Sequence, residues 1–445
     1  MFSKKYIKSI IAAEISSLSR YANKVYYHNP ADFHSSDLYE YTVCREKVIL
    51  KEISELPDIS SEKERTSIIL LDGTLNYHSD IEDVLKGLKE KISRTTRLMI
   101  VCYNPYLRWI YLLANFLGIR KGTPPCTFLK MTDLYDLAEL TGYKIVLDKN
   151  SAFFPFHILG IGNIINSLVV ATPLLRHLAF VSVITLRPLK RDKELPSLSI
   201  VIPARNEKGN IENAILKMPS FEGAKTEIIF VEGHSNDNTW GEIQRVIEKY
   251  KGKYDIQGFQ QTGKGKVDAV RLGFSKATNE LLTILDADLT MPPEMLSRYY
   301  QAYTSGVADF INGSRLLYQM EGEAMRFLNK LGNIFFAKTL SIILGVRLSD
   351  SLCGTKFLSA HDYKRMVEWR RDFGDFDPFG DFELLFPAAI LGLGIANIPI
   401  KYLSRTYGET NISRFYHGFV LLKMVTVGFF KVKLGKTTLP QLQKT

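Results

Sequence analysis

Apolar residues in the second half of the chain fall into short unbroken runs separated by amphipathic stretches. "LSIVIPA" (Leu198–Ala204), "TEIIFVEG" (Thr226–Gly233) and "ELLTILDAD" (Glu280–Asp288) have the pattern of strands buried on both faces. Between them the spacing turns helical. Ile211, Ala214, Ile215 and Met218 form one stripe, which Pro219 stops; Trp240, Ile243, Ile247 and Tyr250 form a second; Val267, Val270 and Phe274 form a third. Pro292 and Pro293 suit a helix start, and Met295, Tyr299 and Tyr303 follow at intervals of four. This alternation predicts a mostly parallel sheet covered by helices, with ligands beyond the carboxyl ends of the strands.

The first half is patterned similarly. "SIIAAEISSLSRYANKV" reads as a strand ending at Glu14 and then a helix; "TSIILLDGTLNY", "TRLMIVCYN" and "LAFVSVITLRP" read as strands. "SDIEDVLKGLKEKI" reads as a helix, and "TDLYDLAELTGYKIVLDK" as a helix and strand. Residues 151–175 contain no Lys, Arg, Asp or Glu and are long enough to span a bilayer. Pro155, glycines and two asparagines interrupt them, which favours a loop within a β-hairpin. Charged residues with Pro188 and Pro196 mark a boundary near residue 192. The division expected is 1–190, a linker at 191–196, a second domain at 197–434 and a tail at 435–445.

Length and composition agree with two globular domains: 445 residues, 46% hydrophobic and 23% charged. Cys44, Cys102, Cys126 and Cys353 lie far apart without a CxxC, which argues against a disulfide framework or zinc site and for a reducing compartment. Glu14 interrupts the N-terminal apolar patch, disfavouring a secretory signal. The net charge of +10 suits anionic membrane or phosphate-bearing substrates, and no nucleic-acid-reading motif accompanies it.

Asp286 and Asp288, separated by Ala287, end the third run. Two like charges at a buried strand end repel each other. One solution is structural: Asp288 caps the following helix while Asp286 pairs with a local base. The other is a hard divalent cation held by carboxylate oxygens and shared with a phosphorylated substrate. The surrounding motifs favour the second: "VIPARNE" (201–207), "VEGHSNDNT" (231–239), "TGKGKVDAVRLG" (262–273), "INGSRL" (311–316), "DSLCGTKF" (350–357) and "RTYGETNISRF" (405–415).

In this order the motifs resemble family 2 glycosyltransferases of the GT-A fold, over roughly residues 197–434, and most of all the branch containing dolichyl-phosphate mannose synthases and polyprenyl-phosphate sugar transferases. The resemblance implies inverting transfer from a nucleotide-diphosphate sugar. It implies that Pro203, Ala204, Arg205, Glu207 and Glu232 contact the nucleoside, that Lys264 and Lys266 lie near the diphosphate, and that Asp286 and Asp288 serve nucleotide and metal, Mg or Mn, with Asp288 the direct ligand. Asp381 or Glu383 is the candidate base for an alcohol acceptor. A polyprenyl phosphate needs only cations, from Arg315, Lys356, Arg405 and Arg414. The family's "GESK" is "GETN" here, so one lysine is missing. Residues 325–346 and the C-terminal "YHGFVLLKMVTVGFFKVKLG" read as core helices, with peripheral membrane contact as the alternative.

The first half resembles the later part of a class I S-adenosylmethionine-dependent methyltransferase, with Glu14 matching the ribose-binding acid. The family's first strand and glycine-rich loop have no counterpart before Glu14, so S-adenosylmethionine is not expected as a cofactor. The fold expected is therefore α/β in two domains: an incomplete Rossmann-like methyltransferase-type sheet followed by a GT-A nucleotide-diphospho-sugar transferase. The function expected is metal-dependent sugar transfer to a polyprenyl phosphate or related glycan or lipid acceptor, in the cytoplasm at the inner membrane face. The alternatives are a bifunctional methyltransferase–glycosyltransferase and a non-catalytic nucleotide-sugar-binding scaffold.

Overall fold

The computed structural model describes residues 4–30, 37–118, 124–154, 178–192, 194–221, 223–318, 327–374, 380–405, 407 and 414–434, with isolated positions between 156 and 169. Most of 151–175, the "GETN" stretch and the 435–445 tail therefore lie outside the described residues.

The first half contains α1 (Lys4–Ser19), β1 (Lys24–His28), α2 (Asp37–Tyr41), β2 (Glu46–Leu50), β3 (Ser67–Asp72), α3 (Thr74–Tyr77), α4 (Ile81–Lys91), β4 (Arg97–Tyr103), α5 (Arg108–Phe116), α6 (Met131–Leu140), β5 (Tyr143–Ser151) and β6 (Val181–Pro188). Its strands form one sheet in the order β2-β1-β3-β4-β6-β5, parallel except where β6 runs against both β4 and β5. β5 and β6 are the expected hairpin arms. The strand expected to end at Glu14 does not form. α1 occupies those positions because Ile11, Ile15 and Leu18 recur at helical spacing and bury one face against the sheet. Glu14 is consequently mid-helix, 3.7 Å from Lys149, and does not occupy a strand end, so the ribose-binding comparison fails on position.

The second half contains β7 (Leu198–Ala204), α7 (Ile211–Leu216), β8 (Thr226–Glu232), α8 (Thr239–Lys249), β9 (Asp255–Gln260), α9 (Gly265–Lys276), β10 (Leu281–Ile284), α10 (Leu296–Thr304), β11 (Phe310–Ser314), α11 (Phe327–Leu344), β12 (Lys356–Ser359), α12 (Ala360–Phe373), α13 (Phe382–Ile390), β13 (Ile395–Pro399) and α14 (Arg414–Gly428). The sheet order is β13-β11-β12-β10-β7-β8-β9. β12 is inserted antiparallel between β10 and β11, and the other pairings are parallel. Apolar layers cover both faces, one packed around Ile200, Phe230 and Tyr299 and the other around Val201, Phe310 and Phe386.

The halves dock through charge as well as packing. Asp309, just before β11, accepts from Arg97 at 2.7 Å and Arg187 at 2.9 Å, and lies 3.3 Å from Arg94. The guanidinium groups also donate to the backbone carbonyls of Gly306, Val307, Ala308 and Gly392. Burial alone would raise the Asp309 carboxyl, but Arg187, Arg97 and Arg94 hold it well below the usual carboxylate range. Tyr21 donates to Asp372 at 2.7 Å, and Thr66 meets His361 at 3.0 Å.

In α11 and α14, Leu340, Ile343, Leu421 and Met424 are buried as core residues, while Leu331, Phe335, Ile342, Phe419 and Leu422 face outward. Among the described residues no helix is long and apolar enough to cross a membrane.

Candidate functional site

The parallel strands β7, β8 and β10 end on the same edge of the sheet, so the segments leaving them converge. β10 is in register with β7, and the Leu285 amide still donates to Val201 at 3.0 Å, which places Asp286 just past the last shared rung. Asp288 follows in a tight turn. Its Oδ1 accepts from the Thr290 amide at 3.1 Å and hydroxyl at 2.8 Å, and Leu289 takes a positive φ of 52°. A bulky residue in that region costs energy, and such strain gathers at functional sites. Asn206, His234 and Asn238 also have positive φ, and all lie on the loops after β7 and β8.

Each aspartate faces a cation from a different element. Lys266, in the first turn of α9, pairs with Asp286. Arg405, on the segment leaving β13, pairs with Asp288 Oδ2 at 2.6 Å and approaches Glu207 at 3.8 Å. Burial alone would push the Asp286 carboxyl up, but Lys266, followed by Lys356 and Arg315, holds it below its ordinary value. The Lys266 ammonium is held above its own despite desolvation, by Asp286 and Asp381. Gly354 leaves room for this pair, because a Cβ there would displace both the Lys266 ammonium and the Asp286 carboxylate.

The residues expected to meet the nucleoside lie at the ends of β7 and β8. Ala204 accepts from the Gly233 amide at 2.9 Å. Pro203 lies in β7 and Arg205 is exposed just past it. Glu232 is buried, its oxygens taking the Ser235 amide at 2.5 Å and Gln260 at 3.2 Å. Glu207 is also buried, bonded to Asn210 at 2.7 Å; burial and then the Asp288 charge push its carboxyl up to about 7, against the Asn210 bond. Asp237 orders the turn, accepting from the Thr239 and Lys208 amides and from the Tyr407 hydroxyl at 3.1 Å each. Tyr407 and Arg405 therefore pin the same segment across the loops after β7, β8 and β10. Lys264 is exposed at the start of α9, beside Gly263, whose carbonyl meets His234 at 3.0 Å.

Among the acceptor candidates, Asp381 accepts from Lys356 at 2.9 Å, and that lysine is fully buried. Glu383 turns away onto Arg271 at 2.5 Å and Arg370 at 3.1 Å. Arg315 is occupied by Asp350, at 2.7 and 2.9 Å, with Asn333 bonded to the same carboxylate. Burial would raise the Asp350 carboxyl, but Arg315 dominates and brings it down to about 2. The side chain of Arg414 lies outside the described residues. Sequence reasoning missed the Asp350 anchor, Gly354 and the Tyr407 contact. Only "DSLCGTK" offered a signal, since an acid, a glycine and a lysine are grouped there.

Residues 199–360 match the profile described as "Glycosyl transferase family 2". A dolichyl-phosphate hexose transferase of Haloferax volcanii is 28% identical over 231 residues, spanning 51% of this chain and 92% of that protein. A dolichol-phosphate mannosyltransferase of Pyrococcus furiosus is 33% identical over 135 residues, spanning 30% of this chain and 37% of that protein. The chain thus spans little more than a third of one of these curated relatives and most of the other. Among solved structures, glucosyl-3-phosphoglycerate synthase from Mycobacterium tuberculosis, in complex with Mn2+, UDP-glucose and phosphoglyceric acid, overlaps with 17% identity and a TM-score of 0.39 over 56% of this chain and 81% of its own; no residue assignment rests on that overlap. The strand-end aspartates therefore belong to a glycosyl transferase family 2 domain, carried by residues 199–360 of this chain.

Proposed function

We propose that the chain moves a sugar from a nucleotide-diphosphate donor to a polyprenyl phosphate, with inversion and with Mg or Mn bound at Asp286 and Asp288. The observation that carries this reading is the strand-end aspartate pair, faced by Lys266 and Arg405 inside a family 2 domain. The Haloferax relative, whose name specifies hexose transfer to dolichyl phosphate, supports this acceptor class.

The donor set fits a hard cation of the kind that keeps most of its coordination for substrate oxygens and water. Asp286 and Asp288, one residue apart, supply hard carboxylate oxygens, each now held by a cation from another element. A divalent cation there offsets charge on the departing diphosphate. Asp288 would hold the cation directly, with Asp286 beside it serving nucleotide and metal. Glu232 and Glu207 orient the nucleoside from the ends of β8 and β7, with Pro203, Ala204 and Arg205 framing it. Lys264 and Lys266 lie on the diphosphate side. Arg405 supplies positive charge for the acceptor phosphate, Arg315 stays committed to Asp350, and Asp381, fixed by Lys356, acts as base only toward a neutral hydroxyl acceptor.

The test is a panel of UDP- and GDP-sugars, each scored by thermal shift with and without Mn2+, followed by transfer of labelled sugar to dolichyl phosphate. A rise in melting temperature that requires both donor and metal is expected, because a ligand held only by the folded state stabilises by mass action. A flat response across the panel, or donor hydrolysis without transfer to any polyprenyl phosphate, rejects the proposal.

A further inference from the structure

α5 is mostly apolar, yet none of its side chains is buried. Trp109 is 64% exposed and Phe116 87%, and Tyr106, Leu112, Leu113 and Leu117 continue the same outward stripe. Its other side is anchored: the Tyr111 hydroxyl donates to the Phe180 carbonyl, and its ring lies 5.1 Å from Tyr103 and 6.0 Å from Phe128. The helix is thus held in place with its apolar stripe turned to solvent. A contiguous patch of this kind marks a surface that something covers.

Charge indicates what covers it. No Asp or Glu occurs between Glu90 and Asp133, a stretch holding Arg108, Arg120, Lys121 and Lys130. None occurs between Asp148 and Asp192 either, and this second acid-free stretch meets the start of α5, where Asn104 donates to the Ala179 carbonyl at 2.5 Å. Aromatic and aliphatic side chains in a sequence stretch whose charged residues are all Lys and Arg match the interface of an anionic bilayer, where apolar groups enter the headgroup boundary and cations meet lipid phosphates.

We propose that α5 docks the first half of the chain onto an anionic membrane surface, with Trp109 and Phe116 inserted. This surface lies outside the family 2 domain, and the proposal does not depend on which donor or acceptor the site takes.

The test is co-sedimentation of the full chain with phosphatidylglycerol-rich vesicles and with pure phosphatidylcholine vesicles. Binding to the first, weakening with salt, is expected. Trp109→Ser with Phe116→Ser should lower vesicle affinity roughly tenfold or more, leaving the melting temperature and its donor-induced rise unchanged. Trp109→Phe should keep the binding and lose the lipid-induced blue shift in fluorescence, a readout that stands even if the double variant folds poorly. The proposal is overturned if no vesicle sediments the protein or if the serine variant binds as well as the parent. It is also overturned if the patch holds a dimer that the same substitutions separate.

Discussion

Glu207 offers a quantitative handle on the site. Its carboxyl is pushed from an ordinary 4.5 up to about 7, first by burial and then by the neighbouring Asp288. That rise corresponds to about 3 kcal/mol of preference for the protonated form. A carboxyl whose folded value is raised leaves stability intact below the unfolded value and drains it as pH climbs to the folded one. The ionised side chain therefore weakens the fold between about pH 4.5 and pH 7, and the loss is complete above that window. Glu207→Gln removes the titration and keeps an acceptor for Asn210, which donates at 2.7 Å. Losing the long contact to Arg405, at 3.8 Å, trims the gain. The variant should match the parent near pH 4 and exceed it by about 2–3 kcal/mol at pH 8.5. Urea denaturation followed by tryptophan fluorescence measures this, since Trp240 and Trp369 both report on the second half of the chain. A gap between variant and parent that does not change with pH, or a variant less stable at pH 8.5, refutes the reasoning.

Asp309→Asn should destabilise the protein by about 3–5 kcal/mol at pH 7, because two fully buried guanidinium groups lose their counter-charge. The depressed carboxyl contributes fully above its ordinary value of 3.8 and loses its contribution only as pH falls below it, so the gap between variant and parent should hold constant down to that value and narrow only at more acid pH. Gly354→Ala should fold normally and lose turnover by about 100-fold, the scale of an ångström-level displacement at a reacting centre, here of the Lys266–Asp286 pair; circular dichroism beside kinetics separates the two effects. Asp288→Asn should lower turnover about 100- to 1,000-fold, the scale of losing one electrostatic stabiliser of the leaving group, because it removes the carboxylate proposed to hold the cation, with a matching loss of Mn2+ binding by calorimetry.

The strands that form the second sheet's parallel core were legible because burial on both faces leaves apolar runs, and the strand-end position of Asp286 and Asp288 followed directly. Helix stripes such as Ile243 with Ile247 were legible for the same reason. α1 was misread because "SIIAA" alone satisfies both periods, and only Ile15 and Leu18 decide for a helix. The antiparallel insertion of β12 was not legible, since a four-residue strand carries too little pattern to show its direction. Nor were the pairs Arg405–Asp288 and Lys356–Asp381, which join distant segments through tertiary structure alone. Periodicity could show that α5 has an apolar stripe but not that the stripe faces outward.

The pairing of cations with strand-end carboxylates also explains how the site tolerates its own charge. Asp286 and Asp288 contribute two negative charges, and Lys266 and Arg405 return two positive ones, so the cluster is neutral as it stands. A bare acidic pair would strain the fold, because like charges in a partly buried setting destabilise each other. Under the proposed function, a divalent cation and a diphosphate arrive together carrying nearly opposite charge, and neutrality survives the exchange. Lys266, freed from Asp286, would then face the donor diphosphate, and Arg405, freed from Asp288, the acceptor phosphate. Arg405 is the more informative of the two, because Tyr407 ties its segment to Asp237 in the loop after β8. Under the proposed function, a change of partner at Asp288 would therefore reach the loops after β7 and β8, and donor affinity and metal affinity would be properties of one charge network rather than of two neighbouring sites.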